Sequence, residues 1–182
     1  MKLIILDRDG VINKESRDYI KTPEEWQAIP GSLEAIAKFN KAGYTIVVAT
    51  NQSGVARGYF TLETLEAIHN KLHNEVTKFD GKIQKIYFCP HGPNDGCNCR
   101  KPKTGLCEQI AADLNVDLKT LQPFFVGDSM RDFELANATG CKFFLVTGPY
   151  GDGMETLHNL TAAQKSLITV VEDLAAVANH IL

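Results

Sequence analysis

A short apolar run that ends in two aspartates constrains the fold of this chain more than any other feature. Residues 3–6 (LIIL) are all apolar, which is typical of a strand buried on both faces of a parallel sheet. The next residues, DRDG, place Asp7 and Asp9 at the carboxyl end of that strand. Ligands bind at this edge in open α/β sheets, and a divalent cation would offset the two carboxylates and could also hold a phosphate. The sequence therefore predicts a cation site directly after the first strand.

Strand-like and helix-like segments alternate along the rest of the chain. Apolar runs predict four further strands, at residues 44–49, 83–89, 124–126 and 143–146. Amphipathic spacing predicts helices between them, at residues 32–43, 61–79, 106–114 and 133–138. This alternation predicts a three-layer α/β fold with a doubly wound, mainly parallel, Rossmann-like sheet. The 182 residues contain no linker or repeat, so we expect one domain over residues 1–182 and no large cap domain.

The second predicted helix shows the amphipathic pattern most clearly. Thr61 is a suitable N-cap, and apolar residues recur after it at helical spacing. We interpret the whole apolar stripe as core: Leu62, Leu65, Ile68, Leu72, Val76 and Phe79. His69 and His73 lie four residues apart on this helix without an acidic or cysteine partner, so a packed or solvated pair is favoured over a metal site.

Composition and charge narrow the possible partners. The net charge of -3 and the pI near 5.9 argue against a general nucleic-acid or membrane-surface binder. No apolar run reaches membrane-spanning length, and the N-terminus lacks a basic segment followed by a signal-like apolar core. We therefore expect a cytoplasmic monomer that acts on a small molecule.

Polar groups also follow the other predicted strands. Thr50 ends the second strand and is followed by Asn-Gln-Ser, and the fourth strand ends in GDSMRD, which adds Asp128 and Asp132. If a helix begins near Ser129, one turn brings Asp132 back toward Asp128. Both carboxylates could then address the cation of the first motif.

A cluster of soft metal ligands follows the third predicted strand. Four such residues fall within eleven positions: Cys89, His91, Cys97 and Cys99. Three thiolates and one imidazole form the closed ligand set of a structural Zn²⁺ site, and the odd total of five cysteines argues against a disulfide framework. Zinc would fix a loop at residues 89–101 and direct Arg100 and Lys101, which follow the last ligand, toward a phosphate.

The chain resembles the haloacid dehalogenase superfamily of phosphotransferases. Four elements match in the order of that family, namely DxDG at 7–10, Thr50, Lys101 and GDxxxD at 127–132. The resemblance implies that Asp7 is the nucleophile and that Asp9 protonates the leaving alcohol and then activates water. It also implies that Thr50 and Lys101 stabilise the transferring phosphoryl group.

The same resemblance implies a Mg²⁺ cofactor. A carboxylate that attacks a phosphate dianion faces like-charge repulsion, which a divalent cation relieves. The implied ligands are the side chains of Asp7 and Asp128 and the backbone carbonyl of Asp9. Asp132 would add a second acidic support.

The motifs DRDGVIN, TNQSGVARG and CRKP and the cysteine loop are similar, nearly end to end, to those of the D-glycero-D-manno-heptose-1,7-bisphosphate 7-phosphatases. The resemblance implies removal of the 7-phosphate through an aspartyl-phosphate, as a step of lipopolysaccharide biosynthesis. It implies substrate contacts from Ser16, Arg17, Asp18, Tyr19, Asn51, Gln52, Ser53 and Arg100. Ser129 departs from the lysine that family members often have there, and a serine cannot make that residue's charged contact to the distal end of the substrate.

Two alternatives stay open at this point. Histidinol-phosphatases carry similar motifs, although the sequence shows no decisive acidic pocket for an imidazole. Outside enzymes, a binding module could use the Cys₃His loop on nucleic acid or on a protein partner. That alternative predicts basic or aromatic residues around the zinc, whereas residues 92–96 (GPNDG) are neutral to acidic.

Overall fold

The computed structural model describes residues 1–182 and contains one sheet of six strands. The strands are β1 Lys2–Leu6, β2 Tyr44–Asn51, β3 Lys85–Cys89, β4 Phe124–Gly127, β5 Lys142–Val146 and β6 Ile168–Val171. Their order in the sheet is β3-β2-β1-β4-β5-β6, and every pair of neighbours is parallel. The predicted doubly wound sheet is confirmed, with one more strand than the sequence predicted.

Helices cover both faces of this sheet. They are α1 Ser32–Lys41, α2 Leu62–Thr77, α3 Gly105–Leu114, α4 Leu118–Leu121, α5 Met130–Thr139, α6 Gly153–Asn159, α7 Ala162–Lys165 and α8 Leu174–Ile181. Apolar residues of α1, α2 and α8 form one core cluster with one face of the sheet, and those of α3 and α5 form a second cluster with the other face. Because β1, β2 and β4 contribute to both clusters, the predicted three-layer α/β fold is confirmed.

The sequence of β1 explains why this strand lies in the middle of the sheet. Leu3 and Ile5 belong to one core cluster, Ile4 and Leu6 belong to the other, and none of the four exposes more than 2 % of its surface. A strand without a polar face requires cover on both sides. From β1 the chain winds outward in one direction through β2 and β3, and from β4 it winds in the other. The gap between β1 and β4 is therefore the switch point at which open α/β sheets bind ligands.

The predicted N-cap of α2 is confirmed, but only part of its predicted apolar stripe lies in the core. The Thr61 hydroxyl accepts a hydrogen bond from the backbone N–H of Thr64 at 3.1 Å. The middle of the stripe is buried as predicted. Leu62 and Phe79 are instead 54 % and 41 % exposed. Leu62 is the first residue of the helix and Phe79 lies beyond its last, so periodicity alone assigned them wrongly to the core.

The connections at the carboxyl ends of the first three strands hold little regular structure. Residues 7–31 contain only the short 3-10 helix Pro23–Glu25, and residues 52–61 and 90–104 contain no helix or strand. No large cap domain is inserted, in agreement with the prediction. None of the helices has the combination of length and apolar character that crossing a membrane requires.

Candidate active site

Three carboxylates meet at the switch point of the sheet. Asp7 follows β1, Asp128 follows β4, and Asp132 lies in the first turn of α5. One oxygen from each carboxylate lies within 4.8 Å of the other two. The three residues are buried, with exposed fractions of 8 %, 4 % and 0 %. The structure thus brings the DxDG and GDxxxD motifs together, as the sequence predicted.

Lys101 lies inside this carboxylate cluster. Its Nζ donates to Asp7 Oδ1 at 2.8 Å, to Asp132 Oδ1 at 2.7 Å and to the Ala49 carbonyl at 2.9 Å. These contacts use all three hydrogens of the ammonium group. The backbone of Lys101 is held as well, because its N–H donates to Asn51 Oδ1 at 2.9 Å and its carbonyl accepts from Asn51 Nδ2 at 3.2 Å. Lys101 is therefore fixed at both ends.

Asp132 has partners for both of its oxygens. Besides Lys101, its carboxylate accepts from the hydroxyl of Ser129 at 2.7 Å and from the Ser129 N–H at 3.2 Å. The Ser129 hydroxyl in turn accepts from the Asp132 N–H, which completes a capping box at the start of α5. The helix begins next to Ser129, the condition under which Asp132 approaches Asp128, and three residues before the predicted start at residue 133. Asp132 is placed to support Lys101 and the helix, and less to hold a cation directly.

The carboxylate cluster carries more negative charge than Lys101 neutralises. With all three carboxylates ionised, the one ammonium would leave two excess negative charges in a buried site. Burial, followed by repulsion from Asp132, raises the pKa of Asp7 to about 7. Burial, followed by repulsion from Asp7, raises the pKa of Asp128 well above its usual value. Buried carboxylate oxygens with this charge excess fit a small divalent cation such as Mg²⁺.

Two glycines make room for the Asp128 carboxylate. A Cβ atom at either Gly10 or Gly151 would overlap Asp128 Oδ2. Gly10 also has a φ of +79°, which favours glycine for a second reason. The same Asp128 oxygen accepts from the Asp152 N–H at 2.8 Å. The glycine of the DxDG motif is thus required both by the turn and by the neighbouring carboxylate.

Asp9 is held outside the carboxylate cluster. Arg8 donates to both of its oxygens, and Asn13 and Gln52 add hydrogen bonds at 2.8 Å and 2.9 Å. Burial opposes ionisation of Asp9, but the Arg8 charge and the bond from Asn13 lower its pKa below the usual value. The two aspartates of one short motif therefore occupy opposite electrostatic environments.

Two adjoining cavities open at Asp9. The inner cavity, of about 70 Å³, is lined by Asp7, Asp9, Glu15, Thr50, Asn51, Lys101, Asp128, Ser129, Arg131 and Asp152. The outer cavity, of about 360 Å³, is lined by Arg8, Asp9, Glu15, Ser16, Arg17, Tyr19, Ile20, Asn51, Gln52, Ser53, Arg57, Arg100 and Arg131. The outer cavity is within the size range of small-molecule sites. No hydrophobic residue lines the inner one, which suits an ionic ligand.

The outer cavity includes all but one of the residues predicted to contact a substrate. These are Ser16, Arg17, Tyr19, Asn51, Gln52, Ser53 and Arg100. Asp18 does not line the cavity; its side chain is exposed and its N–H donates to the Ser16 hydroxyl at 3.2 Å. The side chains of Asn51 and Gln52 hydrogen-bond Lys101 and Asp9, so these two residues position Lys101 and Asp9 as well as lining the cavity wall.

Sequence reasoning missed two arginines of the outer cavity, Arg57 and Arg131. Each lies inside a motif that is visible in the sequence, GVARG and GDSMRD. Their spacing could not show that both face the same cavity, because Arg57 lies in an irregular loop and Arg131 lies in the first turn of α5. Together with Arg17 and Arg100 they concentrate positive charge in a chain whose net charge is -3.

The four soft ligands of the cysteine loop also converge. One ligand atom from each of Cys89, His91, Cys97 and Cys99 lies within 4.8 Å of the others, and the cysteines are not in disulfides. A tetrahedral zinc with bonds of about 2.3 Å separates two sulfurs by about 3.8 Å. The Sγ atoms of Cys89 and Cys97 are 3.7 Å apart, close to that value, whereas those of Cys89 and Cys99 are 2.9 Å apart and would have to separate.

The three thiols of the cysteine loop differ in pKa, because burial raises the pKa of Cys89 to about 12 and also raises that of Cys99, whereas hydrogen bonds favour the thiolate of Cys97. Burial opposes ionisation of the Cys97 thiol, but hydrogen bonds from the backbone N–H groups of Arg100 and Cys99 lower its pKa to about 6. The donor set therefore fits zinc. Arg100 is tied to this loop directly, since its Nη1 donates to the His91 carbonyl at 3.3 Å. The loop therefore positions Arg100, while Lys101 is fixed independently of it by Asn51.

Comparisons with known proteins show sequence similarity along the whole chain. A family model described as polynucleotide kinase 3 phosphatase matches residues 2–144. The chain is 50 % identical over 185 residues to a D-glycero-beta-D-manno-heptose-1,7-bisphosphate 7-phosphatase of Bordetella bronchiseptica, covering 100 % of this chain and 98 % of the relative. It is 51 % identical over 180 residues to a protein of the same name from Pseudomonas aeruginosa, covering 99 % of this chain and 97 % of the relative.

Solved structures extend the likeness to the fold. A crystal structure of D,D-heptose 1,7-bisphosphate phosphatase from B. bronchiseptica, complexed with magnesium and phosphate, has a TM-score of 0.91 and 49 % identity, and covers 100 % of this chain and 98 % of that one. The phosphatase of the same name from Burkholderia thailandensis has a TM-score of 0.73 and 38 % identity. The match covers 99 % of this chain and 97 % of that one. With its motifs, fold and acidic site in agreement, the chain belongs to the heptose-1,7-bisphosphate 7-phosphatase family of the haloacid dehalogenase superfamily.

Proposed function

We propose that this chain is a Mg²⁺-dependent phosphomonoesterase that removes the 7-phosphate of D-glycero-D-manno-heptose 1,7-bisphosphate. The observation that carries the proposal is the pair of adjoining cavities, one acidic and one rich in arginine. A sugar with a phosphate at each end fits this layout. Its 7-phosphate would enter the acidic cavity with the cation, and its 1-phosphate would lie among the arginines. The names of the relatives specify such a sugar bisphosphate, which supports this substrate.

Mg²⁺ is the proposed catalytic cofactor. Its ligands would be side-chain oxygens of Asp7 and Asp128 and the backbone carbonyl of Asp9. The magnesium and phosphate of the B. bronchiseptica structure support this assignment. When bound, the cation supplies the positive charge that lets Asp7 approach a phosphate dianion.

Asp7 is the proposed nucleophile. One of its carboxylate oxygens bonds to phosphorus, the bond from phosphorus to the sugar oxygen breaks, and an aspartyl-phosphate forms. Asp9 donates its proton to the leaving sugar oxygen, and the phosphate dianion beside it favours the protonated form that this step needs. Asp9 then accepts a proton from water, whose oxygen attacks the phosphorus of the aspartyl-phosphate. Inorganic phosphate leaves and Asp7 is regenerated.

Lys101 and Thr50 are proposed to stabilise the transferring phosphoryl group. The ammonium of Lys101 orients Asp7 Oδ1 and places a fixed positive charge beside it. The buried Thr50 hydroxyl accepts from Gln52 Nε2 at 3.0 Å, so its own hydrogen can donate to a phosphoryl oxygen. Both groups lie in the wall of the inner cavity.

The charge of the outer cavity favours a second phosphate over the imidazole of histidinol phosphate. Arg17, Arg57, Arg100 and Arg131 line it, and they would repel a cationic amine or imidazolium. Arg131 also places positive charge close to Ser129, the position at which family members often have lysine. Since every proposed group comes from one chain, a monomer is sufficient for the reaction.

The Cys/His group is proposed to hold a structural Zn²⁺. Four protein ligands close a tetrahedral site and leave no position for a bound water, so the zinc takes no part in the chemistry. It would fix residues 89–101 and, through the contact between Arg100 and His91, one wall of the outer cavity. The use of this loop as a nucleic-acid module has no support, because residues 92–96 carry no basic or aromatic side chain.

Substrate profiling with the purified protein tests the proposal. Phosphate release is measured with heptose 1,7-bisphosphate, heptose 1-phosphate and histidinol phosphate, with Asp7→Asn as the control for contaminating phosphatases. We expect the highest kcat/KM for the bisphosphate, with heptose 1-phosphate as the product. Preference for histidinol phosphate would favour the alternative substrate, and a fully active Asp7→Asn variant would refute the mechanism.

A further inference from the structure

We propose that His69 is a positioning residue that fixes Asp9 through the guanidinium of Arg8. The inference rests on the proposed function, because it concerns the proton transfer assigned there to Asp9. It gives a role to a buried histidine of α2 for which the sequence indicated only packing or solvation.

Three side chains form one continuous series of hydrogen bonds. Arg8 Nη2 donates to Asp9 Oδ1 at 3.0 Å and to Oδ2 at 3.2 Å, and Arg8 Nε donates to Oδ1 at 3.2 Å. Arg8 Nη1 turns the other way and lies 3.1 Å from His69 Nε2. Arg8 is 1 % exposed and His69 is 7 % exposed. Water therefore has little access to replace either partner.

The direction of the bond between Arg8 and His69 follows from the chemistry of the guanidinium. A guanidinium can only donate, so His69 Nε2 must accept and the ring proton must lie on Nδ1. Burial, together with the nearby Arg8 charge, lowers the pKa of His69 to about 3. The imidazole is therefore neutral and remains an acceptor at neutral pH.

The position of His69 is itself well defined. It lies in the middle of α2, and its ring packs against Phe88 of β3 with ring centres 5.8 Å apart. Arg8 is thus anchored between a rigid helix and the catalytic loop. Without His69, the guanidinium would keep only Asp9 as a partner, and the two side chains could turn together.

The expected consequence is a misplaced proton donor and not the loss of the donor. Asn13 and Gln52 still hold Asp9 when Arg8 is loosened, so Asp9 would stay in the site. A catalytic group that shifts by about 1 Å can cost up to about 10²-fold in rate. We therefore expect a loss of about ten- to hundredfold, smaller than that of removing Asp9 itself.

Leaving-group dependence distinguishes positioning of Asp9 from a general structural effect. A sugar oxygen needs a proton to leave, whereas p-nitrophenolate leaves without one. The value of kcat/KM reports the first step, so the shared hydrolysis of the aspartyl-phosphate does not enter. For His69→Phe we expect kcat/KM to fall about ten- to hundredfold on the heptose bisphosphate and by no more than about threefold on p-nitrophenyl phosphate.

Two further variants complete the comparison. His69→Gln keeps an oxygen that can accept from Arg8, and we expect it to recover most of the activity on the bisphosphate. His73→Phe changes the half-buried histidine one turn later on α2, which forms no hydrogen bond with Arg8, and it should leave both rates unchanged. His69→Leu replaces His69→Phe if the larger ring prevents folding.

Equal losses on the two esters, or no loss on the bisphosphate, would overturn the role of His69. The role would also be overturned if kcat/KM of His69→Gln on the bisphosphate did not exceed that of His69→Phe. Failure of the proposed function would be seen separately, because Asp7→Asn would then hydrolyse both esters as fast as the unchanged protein.

Discussion

Replacing Lys101 with methionine tests the charge balance of the carboxylate cluster. Lys101 is 2 % exposed, and its ammonium donates to Asp7, Asp132 and the Ala49 carbonyl. Methionine fills similar space but removes the only cation among three buried carboxylates. The excess of two negative charges then becomes three. We expect both the stability of the metal-free protein and its activity to fall.

Two independent estimates give the size of the stability loss. Removing one partner of a buried ion pair typically costs about 3–5 kcal/mol. The loss is limited by protonation, since keeping an aspartate of ordinary pKa protonated at pH 7 costs about 4 kcal/mol. We therefore expect a loss of about 3–4 kcal/mol from Lys101→Met, which corresponds to a fall in Tm of about 10 °C.

The double variant Lys101→Met/Asp132→Asn is the matched control, because it restores the excess of two negative charges. Urea unfolding in EDTA at pH 7 should show that the second substitution recovers at least half of the stability lost by the first. Hydrolysis should stay about 10²- to 10³-fold slow in both variants, at any Mg²⁺ concentration, since the fixed charge beside the phosphoryl group is absent. A Lys101→Met variant as stable as the unchanged protein, or one that Mg²⁺ restores to full activity, would refute this reasoning.

Three further substitutions and one change of pH give direct tests of the site. Asp7→Asn should abolish turnover and leave no trappable phosphoenzyme, while Asp9→Asn should slow hydrolysis by about 10²- to 10⁴-fold and still form some phosphoenzyme from a good leaving group. Cys97→Ser should lose bound zinc by elemental analysis and raise KM more than it lowers kcat, because the loop holds Arg100 and not the reacting carboxylates; full activity in zinc-free protein would contradict this. The pKa of Asp7 is raised to about 7 by folding, so the fold binds its proton more tightly than the unfolded chain does, and the metal-free protein should lose stability as pH rises from about 4 to about 7. Thermal melts in EDTA should show this decline relative to Asp7→Asn, and parallel curves for the two proteins would contradict it.

The sequence was sufficient to predict the central strands of the sheet because each of them has a clear apolar pattern. β1 is an uninterrupted apolar run, and it occupies the centre of the sheet as such a strand should. β6 shows the opposite case. It lies at the edge, none of its residues is fully buried, and the four-residue helix α7 precedes it. Short segments with little burial leave no periodic pattern, so the sequence did not predict α7 or β6. Helix α8 was missed as well, although it buries Leu174, Val177 and Ala178.

In the candidate site, too, the residues marked by local sequence could be predicted, whereas the contacts that depend on the tertiary fold could not. The carboxylates, Lys101 and the soft ligands could be predicted because their chemistry requires those residue types at strand ends or at close spacing. Arg57, Arg131 and the contact between Arg8 and His69 could not, since they depend on how loops and α2 fold against the sheet. An arginine in a motif carries no information about the cavity it will face.

The pKa values of the two leading aspartates explain why the reaction needs a cation. Without metal, burial raises the pKa of Asp7 to about 7, and Arg8 keeps that of Asp9 low despite its burial. This order is the reverse of the proposed roles, because the nucleophile must be ionised and the acid must carry a proton. A bound divalent cation reverses it by favouring the Asp7 carboxylate, and the phosphate dianion that enters with the substrate favours protonation of Asp9. In the proposed mechanism, the same fold therefore holds Asp7 partly protonated in the metal-free state and ionised, as the nucleophile, when cation and substrate are both present.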